Sequence, residues 1–81
     1  MLRIGTDTKL TPEDAVKKAV DFFGPKGYKL KITQQTATSV NFEGGGGFIE
    51  LTASADKPRT KVEIMSREWD FQVNEFLKKI H

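Results

Sequence analysis

Four consecutive glycines, Gly44 to Gly47, separate two stretches in which apolar and polar residues alternate, and the parity of the alternation reverses across them. Val40 and Phe42 are even-numbered; Ile49, Leu51 and Ala53 are odd-numbered. Alternation with period two is the pattern of a strand with one buried face. The reversal is what an antiparallel hairpin demands if Phe42 stands opposite Ile49 and Val40 opposite Leu51. Gly44 then faces Gly47, and Gly45-Gly46 becomes a two-residue turn that needs positive φ at both centres. A phosphate-cradling loop would instead require a helix start after the glycines, closed by a lysine and a hydroxyl residue. The segment that follows is FIELTAS, which reads as a strand. Four glycines exceed a turn's needs, so a bulge or a close approach of another backbone is a second expectation here.

The rest of the chain reads outward from this hairpin. Thr11-Pro12-Glu13-Asp14 is a helix start: Thr11 caps, Pro12 suits the first helical position, and two carboxylates meet the positive end of the dipole. Ala15, Val16, Ala19, Val20 and Phe23 then form one apolar stripe, and Gly24-Pro25 ends the helix. Tyr28, Leu30 and Ile32 alternate with Lys29, Lys31 and Thr33, which predicts a strand pairing Ile32 with Val40, Leu30 with Phe42 and Lys29 with Glu43 around a Gln35-Thr36-Ala37 loop. Ser54 to Arg59 is turn-like, and Thr60 to Ser66 gives a fourth strand with Val62 and Ile64 inward. Ser66 or Asp70 can cap a last helix striped by Trp69, Val73, Phe76, Leu77 and Ile80. Residues 1–10 are expected to be a flexible segment or a short edge strand carrying Leu2 and Ile4.

These elements predict a two-layer α+β domain: helix, four-stranded antiparallel meander, helix, with both helices on one sheet face. At 81 residues the chain has room for one core only, so residues 1–81 are read as a single domain. The absence of cysteine excludes disulfides, thiolate metal sites and a cysteine nucleophile. No apolar run is long enough to span a membrane, and the expected residence is cytoplasmic.

The catalytic inventory is thin. The one histidine, His81, is terminal, where placement for general-base work is not expected, and no serine has a base beside it in the inferred sheet. Glu43, Glu50 and Glu63 share the outer sheet face, with Glu50 across from Glu63 in one register, but an open face gives nothing to separate their pKa values. Lys29, Lys31 and Lys61 stand among them as a solvated checkerboard. The chain therefore reads as a nonenzyme with no metal site and no cofactor. A ligand pocket lined by Tyr28, Trp69 and Phe76 would strain the capacity of so small a core.

Two binding readings remain. Phe48 and Met65 point outward by parity, opposite one another if Leu51 pairs with Val62, and Phe71 lies off its helix stripe; an exposed cluster of the three would mark a protein interface or a homodimer, through the outer face or a strand edge. The alternative is nucleic acid, met by Lys17, Lys18, Lys26, Lys29 and Lys31, although 13 basic residues against 11 acidic ones is a weak balance for that role. Helix, strands, helix resembles the order of double-stranded RNA-binding domains in outline. That outline differs here in having four strands rather than three and a last helix opening on Arg67-Glu68-Trp69-Asp70 rather than on a basic start.

Overall fold

A computed structural model describes residues 1–80; the expectation for His81 lies outside the described residues. The chain runs β1 (Leu2–Thr8), α1 (Pro12–Phe23), β2 (Lys31–Gln35), β3 (Ser39–Gly44), β4 (Gly47–Asp56), β5 (Arg59–Arg67) and α2 (Asp70–Ile80). The α+β expectation holds, with one strand more than the meander. The sheet order is β1-β5-β4-β3-β2, and every neighbouring pair is antiparallel. The fifth strand is the N-terminal segment, paired with β5 in unbroken register from Leu2↔Ser66 to Thr8↔Thr60. Its apolar content is slight, Leu2 and Ile4 packing against the core, and beside the ladder to β5 it is tied to α2 through Thr8. That residue is fully buried and donates its hydroxyl to the Ile80 carbonyl at the end of α2.

Both helices pack on the face carrying Val40, Phe42, Ile49, Leu51, Ala53, Val62 and Ile64, and their buried stripes complete one core cluster. α1 contributes Ala15, Val16, Ala19 and Phe23 and touches β3, β4 and β5; α2 contributes Val73, Phe76 and Ile80 and touches β1 and β5. Thr11 caps α1 as expected, accepting from the Asp14 N–H at 3.2 Å. Ser66 does not cap α2. It is fully buried within β5, and its hydroxyl has no hydrogen-bond partner among the described residues.

The glycine hairpin has the expected register, Val40↔Leu51, Phe42↔Ile49 and Gly44↔Gly47, with φ of 59° at Gly45 and 80° at Gly46. The close backbone approach is also present. A Cβ on Gly47 would stand 2.0 Å from the Arg67 carbonyl oxygen.

Two registers differ from expectation. In β4–β5, Leu51 pairs with Ile64 rather than with Val62, because the strands continue to Asp56↔Arg59 and only Lys57-Pro58 turns the chain. The slip is two residues, so every side chain keeps its face. In β2–β3, Ile32 pairs with Phe42 and Lys31 with Glu43, and a bulge between Ile32 and Gln34 then brings Gln35 opposite Val40. β2 starts late because α1 competes for its backbone. The N–H groups of Tyr28, Lys29 and Leu30 donate to the carbonyls of Phe22, Gly24 and Phe23, which the helix end leaves unpaired. Lys29 accordingly has φ of 65°, which no strand accommodates.

Candidate functional site

Neither helix covers the outer sheet face. Its central strands place cross-strand rows there: Glu43, Phe48 and Arg67; then Asn41, Glu50, Met65 and Arg3; then Ser39, Thr52, Glu63 and Gly5. The β2 bulge puts Thr33 and Gln34 on this same face, each lining a depression. The twisted sheet forms two shallow troughs. One, of about 520 Å³, spans the sheet from Arg3 to Gln34 over Glu50 and Met65; the other, of about 480 Å³, runs from Thr33 past Phe48 to Arg67.

Phe48 and Met65 are half-buried here, but they do not face each other as the sequence suggested. Phe48 stands opposite Arg67 and Met65 opposite Glu50, so the two are diagonal neighbours, still within reach for long side chains. The Arg3 guanidinium comes within 3.9 Å of the Met65 sulfur from the other side. Phe71, 70% exposed, lies in the first turn of α2 and so belongs to the helix layer on the other side of the sheet. The three residues do not make one patch.

Charge on the outer face is balanced. Arg3, Lys31, Arg59, Lys61 and Arg67 stand against Asp7, Glu43, Glu50, Asp56 and Glu63. Lys61 and Glu63 approach to 3.5 Å with both side chains more than half exposed, a pair that contributes little to stability. Glu50 and Glu63 are not across from one another; Glu63 pairs with Thr52. Among the described residues no group of three or more His, Cys, Asp or Glu side chains could hold a metal ion, and no helix is long and apolar enough to cross a membrane.

The lysines are divided between the two sides of the domain. Lys17 and Lys18 are exposed on α1, Lys26 and Lys29 on the loop after it, whereas Lys31 pairs with Glu43 on the outer face. Tyr28 and Trp69 pack against each other, with ring centroids 5.9 Å apart. The indole N–H donates to the Gly44 carbonyl at 2.9 Å, and the Tyr28 hydroxyl donates to a Glu75 carboxylate oxygen at 2.9 Å. That hydrogen bond, with burial and the Glu75 charge behind it, holds the Tyr28 phenol above its ordinary pKa.

Arg3, Asn41 and Arg67 were not singled out from sequence as parts of this candidate face, and Glu50 was placed on it only as one of three carboxylates. The alternation Leu2, Ile4, Thr6, Thr8 was the available signal for the β1 contribution, and it is weak because two of the four inward residues are threonines. Comparison of the chain with protein-family models, with curated proteins and with solved structures finds no match to any of the three.

Proposed function

We propose that the protein is a noncatalytic interaction module whose working surface is the outer sheet face, and that its ligand is another protein. One observation carries the reading: Phe48 and Met65 lie as diagonal neighbours on a face that no helix covers, among five positive and five negative side chains. Apolar groups rimmed by charges of both signs suit a protein surface of mixed charge, whereas a phosphate backbone favours a face of one sign.

The test is a photocrosslinker in vivo. A benzophenone side chain at position 48 or 65 should yield a discrete adduct with a second protein, and one at Lys17 on the opposite layer should not. Adducts from position 17 with none from 48 or 65 would overturn the proposal. The rival reading, nucleic acid on Lys17, Lys18, Lys26 and Lys29, is supported only by the exposure of those four side chains on α1 and its following loop. Titration of labelled duplex RNA at two salt concentrations separates the two readings, since phosphate contacts make affinity fall steeply as salt rises.

A further inference from the structure

The sheet has two free edges, and they are built differently. β2 is five residues long, interrupted by the bulge at Thr33, and carries Lys31 at its start. Short length, a bulge and a lysine are the usual means of preventing an edge from pairing with another chain. β1 has none of them. It is seven residues long, in unbroken register with β5, without lysine or proline, and among the described residues no strand lies beside its second row of backbone N–H and C=O groups. A groove of about 470 Å³ runs along this edge, between Ile4, Gly5 and Thr6 of β1 and Asn74, Leu77 and Lys78 of α2. Leu2, Ile4 and Leu77 are only partly buried against the core there.

We propose that β1 is the seam of a two-fold homodimer, in which it pairs antiparallel with β1 of a second copy about Gly5. The register follows from the residues. Partners across an antiparallel pair share a face, so with Leu2, Ile4, Thr6 and Thr8 inward and Arg3, Gly5 and Asp7 outward, the two numbers of each pair must sum to an even number. Centring the axis on Gly5 is the one such choice that uses all seven residues of the strand. It sets Leu2 opposite the partner's Thr8 and Ile4 opposite the partner's Thr6 on the inner face. On the outer face it sets Arg3 opposite the partner's Asp7, and symmetry repeats that opposite-charge pair. Gly5 meets its own copy on the axis, where no side chains crowd the approach.

The self-complementary charge pattern is what selects a second copy of this chain as the occupant. Pairing of β1 with β2 of another copy would be a head-to-tail contact that makes a larger ring or an open filament rather than a two-fold dimer, and the β2 bulge opposes it. The dimer goes beyond the proposed use of the outer face and leaves that face open, joining two of them edge to edge.

Two sets of variants test this. Arg3→Asp alone sets like charges opposite one another at both symmetric positions, and so does Asp7→Arg alone. Each should weaken the dimer about tenfold or more by sedimentation, and an equimolar mixture of the two should recover it, because the mixed pair restores opposite charges. Should either variant fail to fold by circular dichroism, Gly5→Cys decides. The chain has no other cysteine, and a Cβ at Gly5 meets nothing closer than the Val62 carbonyl oxygen at 3.8 Å. Mild oxidation should link Gly5→Cys into a covalent dimer, while Thr52→Cys on the same face should stay monomeric. A wild-type chain that remains monomeric at millimolar concentration, or a dimer indifferent to both charge reversals and to cysteine placement, overturns the proposal.

Discussion

Single residues carry much of what is specific to this chain, and the glycine run shows how unequal neighbouring positions can be. Gly46 has φ of 80° with open space around it, whereas Gly47 is buried with the Arg67 carbonyl 2.0 Å from where a Cβ would stand. Gly46→Asn should therefore cost a few tenths of a kcal/mol, since asparagine tolerates the left-handed region. Gly47→Ala must push β4 from β5 and should cost about 2 kcal/mol or more, read as a melting-temperature drop of about 8 °C or more. At Ser66 the direction is opposite. Its buried hydroxyl lacks a partner among the described residues, so Ser66→Ala should be neutral or stabilise by up to about 1 kcal/mol in urea unfolding. Tyr28 is the one tyrosine of the chain, which makes its titration directly visible in the phenolate absorbance. Its hydrogen bond to Glu75 raises its pKa, so the midpoint should exceed about 10 and return toward that value in Glu75→Ala. The protonated phenol is the form that bonds. Its contribution to stability is thus complete below about pH 10 and is lost as pH rises through the higher folded-state value.

Elements are joined here by backbone groups as much as by apolar stripes. The end of α1 takes the N–H groups of Tyr28, Lys29 and Leu30, which shortens β2 and leaves it a bulged edge. At the other side of the sheet the Thr8 hydroxyl joins β1 to the last carbonyl of α2 while accepting the Leu10 N–H at 3.3 Å. Thr8→Val keeps the shape and removes both bonds. It should lower unfolding free energy by about 1–3 kcal/mol, and hydrogen exchange should accelerate most in β1 and the last turn of α2. Sequence patterns located α1 and the glycine hairpin because each has strong local punctuation, Thr11-Pro12 and Gly24-Pro25 for the helix and the glycine run for the hairpin, whereas α2 was legible only from its apolar stripe. They could not place the β4–β5 register, because a six-residue turn-like stretch, Ser54 to Arg59, conceals a turn of two residues.

At the scale of the molecule, β1 distinguishes a five-stranded sheet from a four-stranded meander. In the meander β5 would be an edge, and loss of the N-terminal segment would be tolerated. Here Ile64 and Val62, both buried, have Ile4 and Thr6 as their neighbours on the β1 side. Deleting residues 1–8 should therefore abolish cooperative thermal unfolding rather than merely lower its midpoint, as followed by far-ultraviolet circular dichroism. The candidate binding face has the same dependence. Phe48 and Met65 were legible as outward-pointing from parity alone, but their diagonal placement, the separation of Phe71 and the contribution of Arg3 were not.

What the sequence determined by itself was direction: which strand side chains look inward, where α1 starts and stops, and that φ turns positive at Gly45 and Gly46. Each of these is set within a few residues by steric preference and by the alternation of apolar groups. Which residues stand opposite one another, and whether the first strand joins the sheet, was decided only in the tertiary structure. Register depends on where distant backbone donors and acceptors find partners, and a two-residue slip leaves every side chain on its own face, so alternation cannot report it.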